Sequence, residues 1–417
     1  MKIVAPVKQE GRSLQAQVEG TSCEGFSAAA GGHDPRKTAA IAYAHRDSSP
    51  DVVLVGDAAS AKTVLRSSNV RQAGFTAEID QIINITRPPV IVLDGPEHRK
   101  YRAATARFFA PKVVTTRYLE LMEGTAQRLI AQFRQDGHGD LGKMAMEMAT
   151  AVAAEIVGLT ESAPDKLAGR LMALIGGGTK DRSNRIKVLF ENIKTVIRFK
   201  KFEYHDVRPS IRERRRERRE DVISHLLDEN YSNLEILGEC LTYAGAGMVT
   251  TKEFIVVAFW HLIGDEPLKE RFMKADRKQQ TLIMEEILRL EPILGVLARR
   301  STAELELPGT ERTYPAGTLF KVDVRDSNID ERAVGKCPLA IDPDRDVAQR
   351  AGGSMFAFGD GVHRCPGHQV AMYESAVFLE ALLASPGVRL VTEPSLGWAE
   401  MIEGYELYNM EIACDRP

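Results

Sequence analysis

The sequence predicts a mainly α fold with a minor β portion, on three observations. From about Glu97 to Leu290 apolar residues recur at helical intervals. Stretches of strand character lie only before and after that block. Within it, residues Leu234 to Ile263 form one long, strongly apolar helical run.

Taken in order, residues 1–35 are polar and glycine-rich, a composition expected to be poorly ordered. No Pro/Ser-rich linker, repeat or low-complexity segment divides the rest, so residues 36–417 are expected to form a single domain. Ile41–Ala44 and Val52–Val55 have the pattern of an early hairpin. Asp94-Gly95-Pro96-Glu97 has the form of a helix start, with Asp94 as cap and Glu97 three residues on. The arginine-rich run Arg212 to Arg219 is interleaved with Glu213 and Glu217 and followed by Glu220. Pairs such as Arg216–Glu220 at i,i+4 spacing therefore predict a solvated helix face, not a nucleic-acid patch. After Pro292, short strands such as Thr318 to Val324 are expected. A helix from Gln369 to Leu383 and a strand-like tail at Val388–Leu390 and Met410–Ala413 follow.

Composition narrows the function. With 417 residues, 44% hydrophobic and 27% charged, the chain can bury a sizeable core, and its net charge of −3 disfavours general nucleic-acid binding. No stretch reaches roughly 18 apolar residues and the start is polar, so neither membrane anchor nor signal peptide is expected. The five cysteines are odd in number and scattered, which predicts reduced thiols in a cytoplasmic protein. A monomer is expected.

The chemistry concentrates in Phe358-Gly359-Asp360-Gly361-Val362-His363-Arg364-Cys365-Pro366-Gly367. A lone cysteine is usually a buried structural thiol. Here it is set among glycines that permit close backbone approach, an aromatic that excludes water, and two basic residues, just before a helix. Such a setting stabilises a metal-bound thiolate. The pattern Phe-Gly-x-Gly-x-His-x-Cys-x-Gly resembles the haem-binding loop of the cytochrome P-450 superfamily. The resemblance implies a helical triangular prism holding haem b (iron protoporphyrin IX) between the long central helix and the cysteine-loop helix. Cys365 would be the axial thiolate and metal ligand, with Phe358, Gly359, His363 and Gly367 as cofactor contacts.

Three further segments carry the resemblance in the same order along the chain. His98 and Arg102 lie four apart on one helix face and would grip the haem propionates. Arg299 stands where the family has another propionate-binding arginine, with Arg300 as the alternative, because adjacent strand residues face opposite ways. Glu286 and Arg289, with Arg345 further on, match the family's Glu-Arg-Arg triad, a structural rather than chemical device.

In the long helix, Ala246-Gly247-Met248-Val249-Thr250-Thr251 resembles the oxygen-binding signature Ala-Gly-x-Asp/Glu-Thr-Thr. Ala246 and Gly247 make room over the iron, and Thr250 and Thr251 are the catalytic candidates. The plain alternative for Thr250 is a hydroxyl bonded back to its own i−4 carbonyl. Val249 replaces the acid that normally helps to relay protons. Pro366 also departs from a donor-rich loop: lacking an N–H, it removes one possible hydrogen bond to the sulfur, or it simply fits the turn.

The implied function is a soluble bacterial monooxygenase of class I type, inserting one atom of O₂ into a small organic substrate of secondary metabolism. Ferredoxin and a ferredoxin reductase would be its electron partners, with Arg99, Lys100, Arg107 and Lys112 as a cationic docking face. Val249 keeps open a peroxide-driven, nitrating or isomerising haem-thiolate reaction, and a non-catalytic haem or ligand binder is a third reading. The substrate pocket would draw on Ile82–Val90, Gly176–Lys180, Val249, Leu294, Val296, Tyr405 and Glu406. Solvent exposure is the plainer expectation for the last two.

Overall fold

The computed structural model describes residues 52–74, 87–175, 185–310, 312–345, 353–399 and 402–417. The polar N-terminal segment, Ile41–Ala44 and Gly176–Lys180 lie outside the described residues, as does most of the Ile82–Val90 segment.

The polypeptide starts with β1 (Val52–Val55), α1 (Ala58–Arg66) and β2 (Val70–Gln72). A helical block follows: α2 (Gly95–Thr105), α3 (Leu119–Asp136), α4 (Leu141–Val157), α5 (Pro164–Ile175), α6 (Arg185–Phe202), α7 (Arg208–Arg216), α8 (Val222–Asp228), α9 (Asn233–Tyr243), α10 (Thr250–Gly264), α11 (Glu266–Lys274) and α12 (Arg277–Leu290). One short strand, β3 (His138–Asp140), interrupts it. Beyond it come β4 (Val296–Ser301), β5 (Leu305–Glu306), β6 (Thr313–Tyr314) and β7 (Leu319–Asp323). The cysteine loop leads into α13 (His368–Leu383), and β8 (Arg389–Leu390), β9 (Ser395–Ala399), β10 (Gly404–Tyr408) and β11 (Glu411–Ala413) close the chain.

Caps set many helix starts. Ser232 with Glu235 opens α9 and Asp276 with Gln279 opens α12, each as a reciprocal capping box. Asp94 behaves differently from expectation. It occupies the cap position of α2 but makes no capping hydrogen bond, because its carboxylate is committed elsewhere.

Of the expected early hairpin only the second strand, β1, lies among the described residues. β1 pairs in parallel with β7, Val52 opposite Leu319 and Val55 opposite Val322. The sheet has the order β1-β7-β4-β2. Its inner residues Val55, Phe320 and Val322 pack with Val64 and Leu65 of α1 and with Phe356, forming a small core beside the main helical one.

α9, a π-helical segment (Ala244–Val249) and α10 form one continuous helix from Asn233 to Gly264. It is long and apolar enough to span a bilayer, but 72% of its most apolar window is buried inside the protein. That makes it the central helix of the core. The arginine run is solvated as expected at Arg212, Arg215, Arg216, Arg218 and Arg219 and is corrected at two points. α7 ends at Arg216, so Glu220 lies beyond the helix, and Arg216 instead approaches Glu213 at 3.8 Å. Arg214 is 1% exposed, paired with the equally buried Asp221 and bonded to Thr160 at 2.8 Å. The run fastens α7 to its neighbours. Cys240, Cys365 and Cys414 are free thiols. Cys337 is disulfide-bonded, which departs from the expectation of reduced cysteines throughout.

Candidate active site

Two glycines shape the cysteine loop. Gly359 and Gly361 both take positive φ, +69° and +67°, where a side chain is strained. A Cβ on Gly361 would also strike the Leu65 carbonyl at the end of α1. The loop therefore rests directly on α1, and Arg66 adds a 2.7 Å ion pair to Asp360. Loop closure brings the Cys365 amide to the Phe358 carbonyl at 2.8 Å. Phe358 lies edge-on to His368, ring centroids 5.9 Å apart.

Burial pushes the Cys365 thiol up, while the Gly367 amide, Arg102 and Arg364 pull the other way. Pro366 thus withholds one donor, but Gly367 supplies another. A Cβ on Gly367 would stand 3.9 Å from both the Cys365 sulfur and Phe109.

Basic side chains gather beside the loop. His98 and His363 stack with centroids 4.1 Å apart. His363 Nε2 lies 2.9 Å from Asp94 Oδ1, and the other Asp94 oxygen accepts the Gln72 amide at 3.1 Å. This explains the missing cap: Asp94 clamps the loop histidine to β2. Arg102 donates to the Arg364 carbonyl. Arg299 is buried, and its hydrogen bond runs to the Ala298 carbonyl at 2.8 Å; Arg300 turns outward to the Gly317 carbonyl at 2.9 Å. Strand alternation therefore directs Arg299, not Arg300, inward. Burial brings the Arg299 guanidinium down to about 10, with Asp94 opposing. Burial, with help from His363 and Arg102, brings His98 down to about 4.

Among the described residues the cluster is short of negative charge. Its close carboxylate is Asp94, and His98 Nδ1 is buried without a hydrogen-bond partner. Buried cations need counter-charge. A macrocycle bearing two carboxylates, with a metal facing the Cys365 sulfur, fits this donor set.

The triad is assembled and buried. Glu286 accepts from Arg289 at 2.9 and 3.0 Å, from Arg345 at 3.2 Å and from the Asp342 amide at 3.1 Å. Burial alone would push the Glu286 carboxyl up, but Arg289, the Asp342 amide and Arg345 hold it below the usual range. Asn328 carries this order to the loop, donating to the Arg289 carbonyl at 3.0 Å and accepting the Phe356 amide at 2.9 Å.

The π-helical segment presents an open face. Ala246 is exposed although Ala244 and Met248 on either side are buried, and a Cβ on Gly245 would meet nothing within 4 Å. Gly247 faces Ala153 of α4 instead, where a Cβ would lie 3.7 Å from that methyl. Thr250 is half-buried and donates to the Ala246 carbonyl at 2.6 Å, the back-bonded geometry. Val249 is buried. Thr251 points away into the core and donates to the Glu374 carboxyl of α13. Burial raises that carboxyl well above the ordinary range, and the Thr251 hydroxyl offsets part of the rise.

Leu294 and Val296 are half-buried at the start of β4. Tyr405 is buried, against the expectation of exposure, with the Arg325 guanidinium 5.1 Å from its ring centroid. Glu406 is half-buried and acts electrostatically on Glu253. Sequence reasoning missed the clamp at Asp94 and two buried acids, Glu239 and Glu374. Both acids interrupt apolar helical stretches, and that was the available signal.

Comparison with known proteins agrees with this geometry. The family model described as Cytochrome P450 matches residues 41–385. Cytochrome P450 130 of Mycobacterium tuberculosis is 24% identical over 330 residues, 77% of this chain and 77% of that protein. Erythromycin C-12 hydroxylase of Saccharopolyspora erythraea is 26% identical over 348 residues, 79% of this chain and 80% of that one. The crystal structure of CalO2 has a TM-score of 0.75 at 21% identity, covering 92% of this chain and 96% of that one. With the cysteine loop, the anion-seeking basic cluster and the buried triad in place, the chain belongs to the cytochrome P450 family, whose members carry haem b on a cysteine thiolate.

Proposed function

We propose that this protein is a monooxygenase of secondary metabolism, drawing electrons from a ferredoxin and its reductase. The observation that carries the reading is the basic cluster beside Cys365, with its buried unpartnered His98 nitrogen, together with a central helix opened at Ala246. Bound haem supplies the redox chemistry, in which one oxygen atom of O₂ enters the substrate and the other leaves as water.

The chain's own residues divide the remaining work. Cys365 supplies the thiolate, whose electron density is tempered by the Gly367 amide. His98, Arg102, Arg299 and His363 hold the propionates, and Asp94 keeps His363 aimed. Phe358 and the apolar wall at Leu294 and Val296 exclude water. Because the Thr250 proton is spent on the Ala246 carbonyl, its oxygen lone pairs are free to accept a hydrogen bond at the open face. Val249 has no proton to give.

Arg99, Lys100, Arg107 and Lys112 are all exposed on α2 and the turns after it. Phe109 lies near Gly367, 3.9 Å from where a Cβ there would stand, and this nearness of the cationic stretch to the sulfur supports its assignment to ferredoxin docking. Secondary metabolism is supported by relatives such as erythromycin C-12 hydroxylase and PikC of Streptomyces venezuelae, the latter 27% identical over 301 residues. Two experiments test the reading. The reduced protein under carbon monoxide should absorb near about 450 nm, as thiolate ligation requires. Turnover under labelled O₂ with a ferredoxin system should place one labelled atom in the product. Product without label, or formed with peroxide alone, would favour the atypical reaction that Val249 suggests.

A further inference from the structure

Glu239 is out of place. It sits on α9 among buried Ile236, Leu237 and Cys240 and is itself 1% exposed. Its Oε1 accepts the Val90 amide at 2.9 Å, while Oε2 is buried with no hydrogen-bond partner. The Tyr101 hydroxyl of α2 stands close by and favours the ionised form of the carboxyl. No Lys, Arg or His among the described residues forms an ion pair with Glu239. Burying a carboxylate without a cation is costly, and a chain seldom keeps such a group for packing alone.

Position gives the group a use. Glu239, Thr242 and Ala246 lie three and seven residues apart, along one side of the helix. Ala246 marks the open face, and Thr242 between them is half-buried. The unpartnered oxygen therefore lies two turns along the central helix from the proposed reaction site. Val90 covers it, and the phenols of Tyr101 and Tyr243 stand beside it.

We propose that Glu239 is the docking carboxylate for a cationic head group on the substrate, so that the favoured substrate is a small molecule carrying an ammonium group. This rests on the monooxygenase reading above and names the substrate class for the same site. The ligand supplies the counter-charge that the described residues omit, and the phenols of Tyr101 and Tyr243 stand beside it. Fixing the charged end two helical turns from Ala246, and about three from Thr250, would present a carbon at the far end of the molecule for oxidation.

The electrostatics give the proposal a pH signature. Burial brings the Glu239 carboxyl up to about 7, and the Val90 amide and Tyr101 offset only part of that rise. The groups facing it are Tyr101 from α2, Tyr243 and Cys240 from its own helix, and Tyr231 from the turn before it. The nearest cations are engaged. Arg87 donates to the Glu229 carbonyl and covers the Tyr231 ring, and Arg102 donates to the Arg364 carbonyl. A permanent cation should thus bind more tightly as pH rises through neutrality and Glu239 ionises.

The experiment uses the haem-loaded protein and two probes of matched chain, decyltrimethylammonium and decan-1-ol. The quaternary nitrogen cannot ligate iron and does not titrate. Affinities are measured by calorimetry at about pH 6 and about pH 8 for the wild type, Glu239→Gln and Glu239→Leu. At the higher pH the wild type should prefer the cation by at least about tenfold, less at the lower pH, and both variants should lose the preference and its pH dependence. Equal affinity for the two probes, binding of neither, or a preference that survives Glu239→Gln would overturn the assignment. The same samples, reduced under carbon monoxide, separate the two ideas: absence of the thiolate spectrum condemns the monooxygenase reading, whereas a normal spectrum with no cation preference condemns only the role of Glu239.

Discussion

Replacing Glu286 with leucine should destabilise the protein by about 3–5 kcal/mol, the typical penalty for removing one partner of a buried ion pair. The geometry argues for the upper part of that range. Glu286 serves two buried arginines and one backbone amide, so its loss strips the shared carboxylate from Arg289, Arg345 and Asp342 together. A native state is typically stable by only about 5–15 kcal/mol, so much of the margin would go. Glu286→Gln, which keeps an acceptor oxygen, should cost roughly half as much. Swapping the whole triad for apolar residues, which rescues some buried ion pairs, should fail here. Arg289 also serves the carbonyls of Asn328, Pro338 and Ala340, and Arg345 those of Val334, Lys336, Cys337 and Ala340. Urea denaturation followed by tryptophan fluorescence, with haem retention on gel filtration, measures all three. A Glu286→Leu protein that loses less than about 1 kcal/mol, or a triple apolar variant as stable as wild type, would refute the reasoning.

Three more expectations follow from the same geometry. Thr250→Ala should leave the haem spectrum intact but lower product formed per electron pair by about tenfold or more, read by comparing NAD(P)H consumed with product. Because His98 has its folded-state pKa lowered from 6.5 to about 4, the unfolded chain binds more protons between those values, and stability should fall as pH drops through that window. The apoprotein should show this loss more strongly than the holoprotein, whose propionates would raise the His98 pKa again; thermal melts of both forms at about pH 7 and about pH 5 test it. Gly361→Ala should impair haem uptake even with Cys365 untouched, because the new methyl meets the Leu65 carbonyl at a positive φ; haem content per chain is the measure.

The parts of the molecule readable from its sequence are those where local chemistry dominates. The helical block, the central helix and the helix after Cys365 follow from periodicity. Arg299 rather than Arg300 turns inward because alternation on a strand leaves no other choice once one face is buried. The readings that needed correction depend on contacts distant in the chain. Asp94 has every local mark of a helix cap, yet His363 and Gln72, brought alongside by the fold, claim its carboxylate. Arg214 belongs to a run that looks solvated, and only the return of Asp221 against α7 buries it. Tyr405 sits in a polar turn by sequence, but the end of β7 delivers Arg325 beneath its ring. Glu239 and Glu374 show the limit most sharply, since an acid in an apolar helix marks itself as unusual without naming what it faces.

The parallel pairing of β1 with β7, together with the seat of Gly361 on Leu65, bears on how the molecule is made. The strand at Val52 has no described neighbour in the sheet until Leu319 has been synthesised, and the loop that presents the sulfur leans on residues that left the ribosome long before. Such distant closures form late. A nascent chain stalled between Leu290 and Cys365 would hold the whole helical block with no competent cofactor seat. Haem capture should therefore be among the final events of biogenesis, and a cell starved of haem would accumulate finished polypeptide rather than truncated fragments.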